Sequence, residues 1–324
     1  MKNIAVISGG YSHEAVISKE SVKTILANLD TSLFNLYHVI INEEGWNYKN
    51  KKGELSPVDR NDFSVLVEGE KIQFDFAYII IHGTPGEDGK LQSYFDILGI
   101  PYSTPNHLAT TITFNKWACN TLLTALGYKC AASIIVRKNQ KIDTKTIVDK
   151  LGLPIFVKPC DGGSSYGVSR VVTQEEIEKA ISEAFDHGTE VIIESELKGV
   201  EITNGIFKKS NQELHVLPIT EIVSENDFFD FEAKYEGKSK EITPARISHE
   251  LTDKVYKLTE LIYQDLGLSG IVRIDYIIQE GEPYVIEVNT TPGMSKESVI
   301  PQQVIVDNLI LKDVLTEVVK QAFV

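Results

Sequence analysis

Two segments in the first third of this 324-residue chain repeat one order of elements: a short β-branched strand, a glycine turn and a helix. In the first, residues 4–8 end at a glycine pair, and apolar residues then recur at helical spacing over 14–29. In the second, residues 76–81 end at a His-Gly turn, and a helix is predicted over 90–98. Strands that alternate with helices are typical of a parallel sheet, whose strand ends form a ligand-binding edge. We therefore predict an N-terminal domain built on a parallel sheet.

The rest of the chain indicates two further units, which fits domains of about 100 to 200 residues each. A small unit of short strands and helices follows Pro105 and includes a helix predicted over 115–126 and an amphipathic helix over 174–185. The pattern then changes to strands with alternating faces, one of them over 215–222, a helix over 249–266, a hairpin over 271–289 and a closing helix over 302–323. The fold class is thus a combination of α/β and α+β units. The predicted boundaries are 1–105, 106–193 and 194–324.

The charge balance and the cysteines limit the classes of function. Lys and Arg total 32 against 46 Asp and Glu, a net charge of −14, which excludes nucleic-acid binding through a basic surface. The 3 cysteines form neither a disulfide framework nor a metal knuckle, so a reducing compartment fits best. The N-terminus turns polar too early for a signal peptide, and no stretch approaches the roughly eighteen apolar residues of a membrane span. We expect a cytoplasmic protein without a membrane or nucleic-acid partner.

The hairpin carries the sharpest chemical pattern. Arg273 and Asp275 are two residues apart on one strand, as are Glu287 and Asn289 on the other, so each pair shares one face. A turn centred on Gly281 places Asp275 opposite Glu287 and Arg273 opposite Asn289. Opposed carboxylates repel each other, and a divalent cation removes that repulsion. Carboxylate and amide oxygens suit Mg²⁺, whereas the alternative is a solvated sheet face with salt bridges to Arg273.

Three other segments carry weaker signals. The segment 155–168 is a strand ending in Lys158 and a Gly-Ser loop, whose backbone amides and lysine suit a phosphate. It lacks the Gly-Lys-Ser/Thr of a Walker A loop, and a flexible connection explains it equally well. Glu194 and Glu201 flank a glycine turn where carboxylates suit a nucleoside, although a solvated acidic turn is the simpler interpretation. Glu14 begins the first helix, where a carboxylate need only favour the helix dipole.

Five motifs join these signals. GGYSHEAVIS, HGTPGEDGKLQ, VKPCDGGSSYGV, FFDFEAKY and VNTTPGMSKESVIP occur in this order and at suitable intervals. Together they closely resemble the D-alanine–D-alanine ligase family of the ATP-grasp superfamily over essentially the whole chain. The resemblance implies a three-domain ATP-grasp architecture, with ATP between the second and third domains and the amino acids between the first and third. It also implies joining of two D-alanines through an acyl phosphate, for peptidoglycan precursor synthesis.

The resemblance further implies a role for each matching residue. Seven residues would hold ATP. Lys116 and Lys158 would bind its phosphates, and Lys234 of the lid would also contact the nucleotide. The residues around the adenosine would be Glu194, Ser195, Leu197 and Glu201. The ligands of Mg²⁺ or Mn²⁺ would be Asp275, Glu287 and Asn289. The amino acids would contact Glu14, His82, Arg273, Ser298 and Val299. The residues implied in catalysis are Glu14, Ser164, Tyr235, Arg273 and Ser298. In these roles Ser164 and Tyr235 tie Glu14 to a lid over the site, and Arg273 stabilises the acyl phosphate.

Two positions depart from the family pattern, and two alternative functions stay open. Phe229 stands where a tyrosine is frequent, in the candidate lid 226–240, and Tyr166 stands where a small aliphatic residue is usual. One alternative is a D-alanine–D-lactate or D-alanine–D-serine ligase, although Lys234 and Tyr235 resemble the dipeptide-forming type. The other is a non-catalytic nucleotide-binding sensor, which should have lost a charged site residue. The expected partners are D-alanine, ATP and a second copy of the chain.

Overall fold

The structure is a computed structural model that describes residues 1–163, 166–224 and 239–323. Three β-sheets, of seven, four and six strands, follow one another along this part of the chain. Each sheet has helices packed against it, and the combination of α/β and α+β units predicted from the sequence is confirmed.

The first sheet is mixed rather than wholly parallel. Strands β2, β1 and β7 are parallel neighbours, as the strand–turn–helix pattern predicts. The remaining four strands extend the sheet in antiparallel order from β2, which the sequence did not indicate because these strands are short and largely polar. The strands are β1 (Lys2–Gly9), β2 (Phe34–Asn42), β3 (Gly45–Lys49), β4 (Leu55–Asp59), β5 (Ser64–Val67), β6 (Glu70–Gln73) and β7 (Phe76–Ile79).

Helices cover both faces of the parallel strands. Ile4 and Val6 of β1 are buried in the same apolar cluster as Ile25 of α1 (Ala15–Asn28). The alternate residues Ala5 and Ile7 belong to the cluster that contains Phe95 of α2 (Lys90–Leu98). Burial on both faces explains why β1 reads as a continuous apolar run.

The middle unit holds an antiparallel sheet in the order β10-β9-β11-β8. Asn106 and Asn115 begin two consecutive helices, and each side chain accepts a hydrogen bond from a backbone amide of its helix. The sequence predicted the second of these helices and missed the first. The strands are β8 (Ser133–Arg137), β9 (Ile155–Pro159), β10 (Ser169–Val171) and β11 (Glu190–Ser195). The helices are α3 (His107–Phe114), α4 (Lys116–Ala125), α5 (Thr144–Leu151) and α6 (Ile177–Phe185), the last preceded by a 3-10 turn at Gln174–Glu176.

The third sheet has the order β15-β14-β12-β16-β17, with β13 paired to β12. One strand predicted over 215–222 is two strands, and the predicted closing helix is two helices. The helical chain breaks near Asn308, whose φ of 57° lies in the left-handed region that ends helices. The strands are β12 (Val200–Lys208), β13 (Leu214–Val216), β14 (Thr220–Ser224), β15 (Ser239–Ile242), β16 (Ile271–Gln279) and β17 (Glu282–Asn289). The helices are α7 (His249–Asp265), α8 (Val299–Val306) and α9 (Leu311–Lys320), followed by a 3-10 turn at Gln321–Phe323.

The β16–β17 hairpin has the predicted site pairing but a different turn. Asp275 lies opposite Glu287 and Arg273 opposite Asn289, as expected. The turn, however, is a two-residue turn at Glu280 and Gly281, with φ of 55° and 77°. A register shift beside Asp275 leaves Ile286 as an extra residue and restores the predicted pairing. Without this bulge Glu287 would turn toward the core, because a shift by one residue reverses the faces of a strand.

The two ends of the chain share one core. Ile4 and Ile25, from the first sheet and helix, lie in the same cluster of buried side chains as Ile300 of α8 and Leu315 of α9. This packing brings the N-terminal sheet against the third sheet's helices. None of the helices described has both the length and the apolar character needed to cross a membrane.

Candidate active site

A cavity of about 720 Å³ opens where loops of the first sheet meet the middle and third sheets. Its wall includes Glu14 beside α1, Lys158 on β9 and Asp275 on β16, so each sheet contributes a charged group. Every site residue predicted from the sequence that is described lines this cavity: Glu14, His82, Lys116, Lys158, Glu194, Ser195, Leu197, Glu201, Arg273, Asp275, Glu287, Asn289, Ser298 and Val299. The predicted residues Ser164, Lys234 and Tyr235, with Phe229 and most of the candidate lid, lie outside the described residues.

Lys158 and Glu194 meet because of the pairing of β9 with β11. Lys158 lies opposite Ile192 and Glu194 lies opposite Phe156, so the two charged side chains are diagonal neighbours on one face. The Lys158 Nζ is 2.6 Å from the Glu194 Oε2, and the Asn120 side chain donates to the Glu194 Oε1 at 3.3 Å. Lys158 and Glu194 therefore form an ion pair in the wall of the cavity.

The other predicted nucleotide residues lie on the connection from β11 to β12. Ser195 is the last residue of β11, Leu197 follows it in the connection, and Glu201 lies near the start of β12, opposite Ile277. Together with the apolar Phe156, these residues form one part of the cavity wall. The surface is suited to a flat ring with polar groups at its edge.

Lys116 connects the glycine-rich segment to the hairpin. Its Nζ donates to the Gly162 carbonyl at 2.6 Å and lies 3.2 Å from the Glu287 Oε1. Burial tends to lower the pKa of the Lys116 ammonium. The negative charge of Glu287, supported by those of Glu194 and Glu14, outweighs burial, so the pKa of Lys116 is raised. Lys116 is therefore a fixed positive charge inside the cavity.

Asp275 is a heavily hydrogen-bonded carboxylate of the site. It accepts two hydrogen bonds from the Arg273 guanidinium, both at 2.9 Å, one from the Thr203 hydroxyl at 2.5 Å and one from the Asn289 side chain at 3.0 Å. The salt bridge to Arg273 that the sequence left as an alternative is thus present. These four bonds fix the carboxylate on the cavity face of β16.

The donor set at the hairpin fits a hard divalent cation. Asp275 and Glu287 present carboxylates on one sheet face, with the Asn289 side chain next along the strand. Over the described residues, no group of three or more His, Cys, Asp or Glu side chains is placed to hold a metal ion. A magnesium site here would therefore depend on the Asn289 amide oxygen as well as the two carboxylates, and on oxygens from phosphate and water.

Glu14 precedes α1 but makes no capping hydrogen bond to it. Its Oε1 lies 2.6 Å from the point that a Cβ on Gly163 would occupy, and its Oε2 lies 3.2 Å from the corresponding point on Gly83. A side chain at position 163 would therefore displace this carboxylate, whereas Gly83 is favoured first by its φ of 70° and by the Ser12 hydroxyl, 2.6 Å from the same point. The loop that carries Glu14 is held by the Ser12 hydroxyl, which donates to the His82 carbonyl at 3.1 Å. A favourable interaction with the dipole of α1 needs no such hydrogen bond, so both the dipole interpretation and the substrate role of Glu14 stay predictions.

His82 and Glu87 lie on the loop after β7, and their ionisation is shifted by the cavity. His82 is buried, and burial together with the nearby Arg273 charge lowers its pKa to about 4, so the imidazole is neutral at pH 7. Burial, and then the Glu14 charge, raises the pKa of Glu87 to about 8, although its carboxylate accepts from the Gly83 amide at 2.7 Å. Glu87 stands in the HGTPGEDGKLQ motif, but its role could not be predicted from the sequence, because its environment arises only on folding.

Ser298 begins α8, and its Oγ lies 2.8 Å from the Ser295 Oγ. The helix reaches the cavity because Gln303 binds β12: it accepts from the Gly205 amide and donates to the Thr203 carbonyl, each at 3.1 Å. A Cβ on Gly205 would lie 2.5 Å from the Gln303 Oε1, so a side chain at this position would push the helix away. Ser298 is therefore placed by an interaction one turn farther along its own helix.

Comparisons with known proteins agree over the whole length. The family model described as D-ala D-ala ligase N-terminus matches residues 3–105, and the model described as D-ala D-ala ligase C-terminus matches residues 122–320. A D-alanine–D-alanine ligase of Phocaeicola vulgatus is 50% identical over 323 residues, 99% of each chain.

Two solved structures share the fold. The VanG D-Ala:D-Ser ligase from Enterococcus faecalis has a TM-score of 0.88 at 30% identity and covers 99% of both chains. The D-alanine–D-alanine ligase from Bacillus anthracis complexed with ATP has a TM-score of 0.80 at 30% identity, covering 100% of this chain and 98% of its own.

Proposed function

This chain belongs to the D-alanine–D-alanine ligase family, and from that premise we propose that it uses ATP to join two D-alanines for peptidoglycan precursor synthesis. The product would be D-alanyl-D-alanine, with ADP and phosphate. The single observation that supports this best is the convergence of Lys116, Lys158 and Arg273 on one cavity that also contains Glu14. The cations suit the phosphates of ATP, and the carboxylate suits the ammonium of an amino acid.

The reaction would proceed through an acyl phosphate. The carboxylate of the first D-alanine takes the γ-phosphoryl group and releases ADP; the neutral amine of the second then attacks the carbonyl carbon and releases phosphate. Phosphoryl transfer depends on positioning and on neutralising charge more than on covalent catalysis by the protein. In this cavity Lys116, Lys158 and Arg273 would hold and neutralise the phosphoryl oxygens.

Mg²⁺ or Mn²⁺ would be held by Asp275, Glu287 and Asn289. The ion supplies positive charge to phosphate oxygens when it is bound. For the chain itself, Lys116 and Arg273 now contact two of these ligands, so they would be released toward the phosphates. The adenosine would lie along Glu194, Ser195, Leu197 and Glu201 in this proposal.

The amino acids would bind at the end of the cavity nearest α1. Glu14 would receive the ammonium of the first D-alanine, and the neutral His82 would lie beside it. Ser298 and Val299 would hold the second D-alanine at the start of α8. Ser164, Lys234 and Tyr235 keep the catalytic and nucleotide roles that their motifs imply.

The remaining parts of the proposal concern organisation. We assign the units 1–105, 106–193 and 194–324 as three domains, because each holds all or most of one sheet, with only the last two residues of β11 beyond the second boundary, and the cavity lies where they meet. A homodimer and a cytoplasmic location complete the proposal. Sedimentation of the purified chain tests the dimer, and cell fractionation tests the location.

Phosphate release from ATP tests the function. We expect release with D-alanine and little with L-alanine or no amino acid, together with a dipeptide product by mass spectrometry. D-Serine and D-lactate, each added with D-alanine, test the other acceptors. Lys158→Gln should abolish release, whereas Lys138→Gln, at an exposed lysine outside the cavity, should not. Nucleotide binding without any product would instead support the sensor alternative.

A further inference from the structure

Two aromatic side chains connect the first unit to the middle unit at the mouth of the cavity. The His13 and Tyr166 rings lie 5.4 Å apart between centroids, with 38° between their planes. We propose that this contact positions the glycine-rich loop, of which residues 161–163 and 166–168 are described, at the cavity wall before substrate arrives. The inference rests on the proposed function, in which the cavity binds ATP and the first D-alanine.

The His13 side of the contact is rigidly held. His13 lies between Ser12 and Glu14 in the loop from β1 to α1. The Tyr11 amide of this loop donates to the Thr84 carbonyl at 2.9 Å, and the Tyr11 hydroxyl accepts from the Trp46 indole at 3.1 Å. The exposed imidazole is therefore presented from a loop whose backbone is fixed to the first sheet.

The Tyr166 side belongs to the loop that approaches Glu14. The Tyr166 amide donates to the Gly163 carbonyl at 3.3 Å, and Gly163 is the residue against which the Glu14 carboxylate packs. Consecutive residues of one loop, His13 and Glu14, thus contact Tyr166 and Gly163 of the other. Two adjacent contacts restrain both the position and the tilt of the glycine-rich loop, which a single contact cannot do.

The contact should change the population of the positioned loop. An aromatic pair of this geometry is equivalent to roughly a twofold to tenfold change in an equilibrium constant. Tyr166 keeps 39% of its surface exposed, so its ring is only partly covered. We therefore expect a change in the equilibrium constant near the lower end of this twofold to tenfold range. For a ligand that needs the positioned loop, the apparent Kd is the intrinsic Kd divided by the fraction of molecules in which the loop is positioned. Because the contact joins the loop to the residue before Glu14, the first D-alanine should respond most.

A double-mutant cycle with His13→Ala and Tyr166→Val tests the inference. In the ligand-free protein we expect amide exchange over residues 161–163 and 166–168 to become about two- to tenfold faster in either variant, and no faster in the double variant. The KM for the first D-alanine should rise by at most the same factor, with kcat nearly unchanged. Tyr166→Phe keeps the ring and should behave as the wild type. His249→Ala, an exposed histidine at the start of α7, is the control for loss of an imidazole.

Three results would overturn the inference. Additive effects of the two substitutions would show that the side chains act independently. A Tyr166→Phe variant that behaves as Tyr166→Val would assign the effect to the hydroxyl group. Unchanged exchange and unchanged KM in folded variants, with folding checked by circular dichroism, would remove the role altogether. The exchange measurement needs no turnover, so it decides on the contact even if the wild type forms no dipeptide.

Discussion

The three cations of the cavity are each matched with a carboxylate at salt-bridge distance. Lys116 meets Glu287, Lys158 meets Glu194 and Arg273 meets Asp275. These pairs are partly buried, so removing one partner leaves a charge that is poorly hydrated. Side chains assigned to ligand binding are thereby also part of the stability of the free protein.

Glu287→Gln should remove most of the activity and also lower stability. The change takes away a charge that the metal would need, and it leaves the partly buried Lys116 facing a neutral amide. We expect a loss of about 1–3 kcal/mol in the free energy of unfolding, measured with urea in metal-free buffer. Glu183→Gln, at an exposed salt bridge on α6, should change it by less than about 0.5 kcal/mol. Full turnover of Glu287→Gln at saturating magnesium would contradict its assignment as a ligand.

Glu87 should give the protein a distinctive pH dependence of stability. Its pKa is raised from 4.5 to about 8 in the folded state, so between these values the unfolded chain loses a proton that the folded chain keeps. The free energy of unfolding then falls by about 1.4 kcal/mol per pH unit from this group as the pH rises, and levels off above pH 8.

Glu87→Gln removes this dependence while the amide oxygen can still accept from Gly83. Relative to the wild type, the variant should become more stable as the pH rises from 5 to 8, with a constant difference above that. Urea unfolding at several pH values measures the difference. Parallel profiles for the two proteins would show that Glu87 has an ordinary pKa in the folded state.

At the level of elements, the hairpin shows how an insertion places charged groups. The tight turn determines which residues pair in the half of the hairpin nearest the turn. The extra residue Ile286 shifts the pairing by one residue in the half that carries the site residues. Glu287 and Asn289 thereby face the cavity while Val285 and Val288 stay in the core. A turn and a bulge together determine which side chains the cavity receives.

The turn offers a test that should leave the site intact. Glu280 has a positive φ of 55°, where asparagine is better tolerated, so Glu280→Asn should raise the free energy of unfolding by about 0.3–1 kcal/mol. Gly281→Ala should lower it by about 1 kcal/mol through backbone strain alone, since no atom lies within 4 Å of the added Cβ. Thermal unfolding and phosphate release measure the two effects. A large loss of activity in folded Glu280→Asn would mean that the register is set by the turn alone.

The sequence predicted the elements whose burial leaves a regular pattern. β1, α1 and α2 were predicted because their apolar spacing matches one period throughout, and the hairpin pairing because its charged residues are symmetric. The antiparallel strands β3 to β6 were missed, because strands of only 4 or 5 residues are too short to show a clear apolar period. The bulge at Ile286 cannot be read from the sequence, because a three-residue turn without a bulge gives the same opposed pairs. Likewise, Glu87 was passed over because its burial depends on Glu14 and on loops distant in the sequence.

At the scale of the whole molecule, the first and last elements stabilise each other. Leu315 on α9 is fully buried in the cluster that contains Ile4 and Ile25 of the N-terminal unit. The cavity wall near Glu14 and Ser298 therefore depends on packing between residues at opposite ends of the chain. The first unit should unfold together with the third rather than separately.

Leu315→Ala tests this coupling, with an expected loss of about 2–5 kcal/mol. The chain has 2 tryptophans, Trp46 in the first sheet and Trp117 on α4, so a Trp117→Phe background reports on the first unit alone. In that background Leu315→Ala should lower the Trp46 unfolding midpoint more than Ile181→Ala, an equally buried change in the middle unit. An unchanged Trp46 midpoint in Leu315→Ala would show that the first unit unfolds on its own.

The paired charges of the resting cavity also determine which small molecules can compete for it. A simple polyanion such as sulfate can bind a lysine of the cavity only by separating it from its glutamate, which is then left without its partner. A simple polyamine can bind a glutamate only by leaving a lysine without its partner. A compound that carries an anionic and a cationic group at suitable separation exchanges partners with Lys116 and Glu287 together and leaves neither alone. Screens for inhibitors of this chain should therefore favour zwitterionic compounds over phosphate mimics that carry only negative charge.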